Sequence, residues 1–213
     1  MARHACAAHI PDSDQRHSTM TTVDRKRVDT FLCSREAERL AHPGGNLYEH
    51  LCRVSMLLSD WGADETVQIA GLCHACYGTD GFDQAMVDVM DRRTLVDLIG
   101  QAAEELVYLY CSCDRAVVYP LLASNGPVVF RDRFTGRLHT PSQPEVRAFL
   151  EITAANELDA LAHNHTLLSE HGAELFTLFK STRRYLSEAA WRACVDLLGA
   201  MGDGMTNRAL KLL

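Results

Sequence analysis

The chain is predicted to be an all-α bundle of about six to eight helices carrying one small β-hairpin. Three observations predict this. Apolar residues recur at spacings of three and four along most of the sequence. Capping residues, prolines and glycines punctuate those stretches at helical lengths. One segment, PVVFRDRFTGRLH at 127–139, instead reads as two short strands around a Thr135-Gly136 turn.

Residues 1–20 are polar and unpatterned and read as a disordered leader. The patterned sequence begins directly after Met20, itself a candidate start. Val23–Leu40 reads as a helix through Val28, Phe31 and Leu32. His42-Pro43-Gly44-Gly45 breaks it. Asn46 is the expected N-cap of a second helix, whose stripe is Leu47, Leu51, Val54, Leu57, Leu58 and Trp61. His50 lies on that stripe and faces inward. Gly62 ends this helix, and Asp64 caps the next, through Val67, Ile69, Ala70, Leu72 and Cys73, with His74 at its inner end.

A turn, YGTDGF, follows, and Arg92–Cys113 reads as one long helix. After the hairpin, Ser142-x-x-Glu145 with Pro144 is a capping-box start, giving a helix to about Asn164. Two further helices are expected at Gly172–Arg183 and Ser187–Leu198. The expected organisation is a leader at 1–20, one domain at 21–200 and a short tail at 201–213.

At 213 residues the chain suits one domain able to bury an ordinary core. A formal charge of -7 and a pI near 5.8 argue against a nucleic-acid surface, which needs clustered Lys and Arg. No apolar run approaches a membrane span, and the first residues have no signal-peptide core. Eight cysteines without a framework spacing point to reduced thiols and a cytoplasmic setting. A small molecule is the expected partner, and a homodimer is compatible with the sequence.

The chemistry concentrates between His42 and Phe82. A histidine on an apolar face is more often a satisfied core residue than a ligand. Three, at 42, 50 and 74, on neighbouring elements suit a metal site or an acid/base pair. Cys73-x-x-Cys76 and Cys111-x-Cys113 resemble half-sites for zinc, but both lie inside helical patterns, so core packing is preferred. Arg131, Arg133 and Arg137 on the hairpin are either an anion clamp or a charged edge, with the edge preferred.

The stretch EHLCRVSMLLSDWGADETVQIAGLCHACYGT resembles the start of HD-domain metalloproteins, nearest to the hydrolase domain of (p)ppGpp synthetase/hydrolases. That family carries H-x-x-x-V-x-x-I-L on one helix and A-x-L-x-H-D at the end of the next. His50 matches the first histidine and His74 the second. Thr153–Leu161 is similar to the family's distal helix. Three positions depart: Ala75 stands for the aspartate of the His-Asp pair, Asn156 for the distal aspartate, and Gly78-Thr79 for an acidic pair. The wording HPGG…H…HAxYGTxGF also resembles a divergent branch of HD-like proteins.

The resemblance implies an HD-like fold and a small-molecule enzyme, a hydrolase of phosphorylated or nucleotide-like substrates. A divalent metal (Fe, Zn or Mn) is then expected, with His42, His50 and His74 as candidate ligands and Asp80 or Glu157 as candidate substitutes for the carboxylates that this chain lacks. His50, His74, Tyr77, Thr79 and Asp80 are then the candidate catalytic residues, and Asn156, Arg131 and Arg133 the candidate substrate contacts. Alternatives are an iron oxygenase of the HD fold, a metal-free acid/base lyase or isomerase, and a non-catalytic binding module.

Overall fold

The computed structural model describes residues 23–122, 126 and 128–209, with side chains through Met201. The leader expected at 1–20 lies outside the described residues, as do 210–213 of the expected tail.

Asp24 opens α1 (Arg25–Ser34), its carboxylate accepting from the N–H groups of Lys26 and Arg27. The helix ends six residues before the expected Leu40, because Glu36 takes a left-handed conformation (φ 63°) and a 3-10 turn follows at Ala37–Arg39. The predicted break at His42–Gly45 is more than a break. β1 (Ala41–His42) and β2 (Gly45–Asn46) pair antiparallel around Pro43-Gly44, a second hairpin too short for a period-two pattern to announce.

Asn46 then caps α2 (Leu47–Asp60) with a reciprocal capping box: it accepts from the Glu49 N–H, and the Glu49 carboxylate accepts from the Asn46 N–H. Asp64 caps α3 (Glu65–Leu72) as expected. The long helix expected at Arg92–Cys113 is two, α4 (Arg92–Ile99) and α5 (Gln101–Ser112). Gly100 between them sits at φ 83°, ψ 159°, open only to glycine, so the apolar periodicity continues while the backbone does not.

α6 (Arg115–Leu122), with Pro120 inside it, was not expected from the sequence. β3 (Phe130–Arg131) and β4 (Leu138–His139) form the predicted hairpin, with Phe130 opposite His139. α7 (Gln143–Ala162) starts at the predicted capping box. α8 (His165–Ser181) begins a full two turns before the expected Gly172, and α9 (Glu188–Ala209) runs on through much of the expected tail. The described residues thus hold nine α-helices rather than six to eight. The surplus comes from the Gly100 break and from α6.

The fold class is all-α, with two small hairpins. α7 is the central element. Val146, Phe149, Leu150, Ile152, Ala154, Ala155, Leu158 and Leu161 bury it on nearly every side. α2 packs against α3 and α7, α5 closes on α3 and α7, and the α8–α9 pair covers α7 from the other side. Each fully buried Leu or Ile here contributes about 1.5–3 kcal/mol over leaving it in water. Gly71 sets the approach of α3 to α2: a Cβ there would lie 2.2 Å from Leu58 Cδ1. No helix among the described residues is long and apolar enough to cross a membrane.

Candidate functional site

The three histidines meet inside the bundle. β1 delivers His42, α2 delivers His50, and the turn after α3 delivers His74. The His42 ring lies on the His50 ring (centroids 3.8 Å apart), and His50 meets His74 edge to face at 5.3 Å. Beyond His74 stands Tyr110 of α5, again edge to face, at 5.2 Å. The convergence expected of the sequence is therefore present.

Both nitrogens of His50 face oxygens of α7. Nδ1 is 2.6 Å from Asp159 Oδ2, and Nε2 is 3.0 Å from Asn156 Oδ1. The ring is wholly buried. Arg53, one turn along α2, donates to both oxygens of Asp159 through Nε (2.7 Å) and Nη2 (3.0 Å). The same guanidinium donates from Nη2 to the Pro43 carbonyl (3.1 Å), fixing the hairpin that carries His42. Burial pushes the Asp159 carboxyl upward, but the bonds from His50 and Arg53 outweigh it and hold it below the usual range.

His74 donates through Nδ1 to the Gly71 carbonyl at 2.7 Å, which makes Nε2 its lone-pair nitrogen. Burial, with the neighbouring His50 second, lowers its pKa to about 3. The same two causes, in the same order, lower His42 to about 4. His42 Nδ1 is buried with no hydrogen-bond partner among the described residues.

The network continues to the far side of α7. Asn156 donates through Nδ2 to Glu157 Oε1 (3.1 Å), and Arg115 of α6 donates to the same oxygen through Nη1 (3.0 Å). Arg115 Nη2 donates to the Tyr110 hydroxyl (3.1 Å), and its backbone N–H to Asp80 Oδ2 (2.8 Å). Two cavities flank this core. One of about 600 Å³, between α6, α7 and α8, includes Arg115, Tyr119, Glu157 and Leu175 in its walls. The other, about 590 Å³, between α2, α7 and α9, includes Arg53, Trp61, Asp159 and His163.

The remaining predicted site residues go elsewhere. Tyr77 points away from the histidines and donates to Glu104 (2.8 Å), which Arg92 also holds at 2.5 and 2.6 Å. Thr79 bridges to Phe82 through its backbone and shapes the turn. Arg131 pairs with Asp114 at 2.6 Å, and Arg133 donates to the Cys111 carbonyl at 2.7 Å. These arginines fasten the β3–β4 hairpin to the body. Cys73, Cys76, Cys111 and Cys113 are buried free thiols, in keeping with core packing.

The donor set does not fit a metal ion. Stacked imidazoles have lone pairs in two nearly parallel planes, which do not meet at a Zn–N distance of about 2.1 Å. Both His50 nitrogens are occupied by α7. Asp80 is spent on the start of α6, and Glu157 is paired with Arg115. Among the described residues no group of three or more His, Cys, Asp or Glu is placed to hold an ion. The guanidinium groups of Arg53 and Arg115 supply the positive charge beside these carboxylates.

Asp159, Arg53 and Arg115 are the site residues that sequence reasoning missed. Asp159, a charged residue on a long helix, carries no sequence mark of burial by itself, yet it is buried. A signal existed: His50 and Arg53, and Asn156 and Asp159, are both three apart, so each pair shares a helix face. The carboxylate missing at Asn156 reappears one turn later on that face.

Fold and site together define an all-α protein built around a buried histidine–carboxylate–guanidinium network. A family model described as a domain of unknown function (DUF6817) matches residues 31–115. That segment carries His42, His50, His74 and Asp80 and ends on Arg115, whereas the α7 oxygens that hold His50 lie outside it. No curated protein and no solved structure matches the chain.

Proposed function

We propose that this chain is a small-molecule-binding domain on an HD-like helical scaffold, working without a resident metal. The observation that carries this reading is the state of His50. It is fully buried, and both its nitrogens are engaged by α7. Such a ring does not meet a substrate; it orients Asn156, and through Asn156 the Glu157 carboxylate at the wall of the α6–α7–α8 cavity. A cavity of about 600 Å³ with mostly apolar walls and few convergent polar groups suits a small organic ligand. The described cysteines are free thiols, which supports a cytoplasmic setting.

The test is ligand-observed NMR with a set of small apolar fragments. Binding is expected to wild type and to be lost in Ala116→Trp, which plugs the cavity from an exposed position on α6. Fragments that bind both proteins equally would overturn the site. Elemental analysis should find less than about 0.2 equivalents of Zn, Fe or Mn in protein purified without added metal.

One observation favours a second, catalytic reading. The chain Asp159–His50–Asn156–Glu157 runs unbroken to the cavity wall, which would make Glu157 the group acting as acid or base on the ligand. Turnover of a bound fragment that Glu157→Gln abolishes without loss of binding would establish it; unchanged fragments after prolonged incubation would reject it.

A further inference from the structure

The polar groups reaching the α6–α7–α8 cavity are unevenly placed. On the α8 wall Thr177 donates its hydroxyl to the Ala173 carbonyl (2.9 Å), and Ser181 donates to the Leu178 carbonyl (2.7 Å). Both hydroxyl protons are spent within α8. Leu161, Leu167, Leu175 and Leu178 make much of the remaining wall apolar. His171 and Glu174 also line the α8 wall, both at solvent-exposed positions; the less exposed polar groups with hydrogen-bonding capacity to spare, Arg115, Glu157 and Tyr119, meet in one corner.

That corner has spare valence of both signs. A guanidinium carries five N–H donors. Arg115 gives one to Glu157 and one to Tyr110, while its ring contacts with Tyr110 and Tyr119 (5.7 and 5.9 Å) hold it in place. Among the described residues, the bonds that Glu157 accepts from Arg115 and Asn156 both fall on Oε1. Tyr119 has a buried hydroxyl with no partner among the described residues. Arg115 and Glu157 thus form a donor beside an acceptor, already neutralised against each other. The side chains are 23% and 16% exposed, enough to be met from the cavity.

We propose that this corner reads a neutral head group presenting a hydrogen-bond acceptor next to a donor, as a carboxamide, a lactam or the edge of a cyclic urea does, with the ligand's apolar body lying along the leucines. The proposal rests on the binding reading above. The carbonyl oxygen accepts from Arg115, and the N–H donates to Glu157. Charge selects against the obvious competitors. In this corner a carboxylate ligand would face Glu157 with no cation to spare, because Arg115 is already paired. An ammonium ligand would face Arg115.

Three probes of one size separate the possibilities: naphthalene-2-carboxamide, its carboxylate and its methyl ester, titrated by calorimetry. The amide should bind roughly tenfold tighter than either, the value of about one net hydrogen bond. Glu157→Gln, which places a second donor where the acceptor stood, should erase that preference and leave ester binding intact. Equal affinities for the three in wild type would overturn the head-group assignment while leaving a binding cavity. Tighter binding of the carboxylate would overturn it in favour of an anion site. If none of the three binds wild type, the binding reading falls with it.

Discussion

His42 lies flat against His50, the rings 3.8 Å apart and 26° from parallel. Two imidazoles aimed at one ion would meet edge-on through their nitrogens. Here they meet face to face, as aromatic packing units do. The contact is through the ring faces, and His42 Nδ1 is left buried and unpartnered among the described residues.

His42→Phe should therefore keep the stack and remove the orphaned nitrogen. Its melting temperature is expected to equal or exceed that of wild type. His42→Ala should lose about 1–3 kcal/mol through the missing contact. Thermal denaturation of the two variants checks this; a His42→Phe protein as unstable as His42→Ala would mean that the nitrogen is needed.

Asp159 is the counter-charge for Arg53 and the acceptor for His50, and it is 4% exposed. Arg53→Met leaves the buried Asp159 carboxylate without its cation, with an expected loss of about 3–5 kcal/mol. Asp159→Asn should cost less, because the guanidinium it leaves unpaired reaches solvent at 26% exposure. Urea midpoints of the two variants give the order directly.

Acid should destabilise the protein well before its carboxylates titrate. The folded-state values of His42 and His74, about 4 and about 3, lie below the ordinary 6.5. Between 6.5 and those values the unfolded chain takes up protons that the folded chain refuses. Stability is thus complete above about pH 6.5 and falls as the pH drops toward 4 and then 3. Denaturant midpoints measured at about pH 7.5 and about pH 5 should differ, and His42→Phe combined with His74→Gln should shrink the difference. A flat profile in wild type would contradict the account.

Gly71→Ala should push α3 off α2, since the new methyl would sit 2.2 Å from Leu58 Cδ1. The expected cost is about 1–3 kcal/mol. Leu58→Ala is destabilising alone, but the double variant should be better than the sum by more than about 0.5 kcal/mol, because the methyl then has room. Strict additivity in chemical denaturation would show that the two helices part by another route.

Helix capping made much of the architecture legible. Asn46, Asp64 and Ser142 each announced a helix that begins where they stand. The breaks were harder. Gly100 looks like any glycine in an apolar pattern, and only its φ reveals a joint. Pro120 hid α6, because a proline within a short apolar run reads as an end rather than a middle. The site was half legible. The histidines were visible from their place on apolar faces, whereas Asp159 and Arg115 are charged residues whose burial depends on a partner far away in sequence. Tyr77 follows His74 within one turn of chain, yet it faces the Glu104–Arg92 network, because the turn after α3 directs the two side chains apart.

His50 and Asn156 are 106 residues apart along the chain. Nothing local rewards the polar face of either helix before they meet, so their bond is made only after a long loop has been closed. The network is then a record of completed folding. A fragment ending near Arg115 would hold all three histidines and still present His50 to an unfilled gap, its nitrogens without the oxygens that α7 brings. The smallest autonomous unit of this protein is consequently set by α7, and any dissection that stops short of it removes the site while leaving its most conspicuous residues in place.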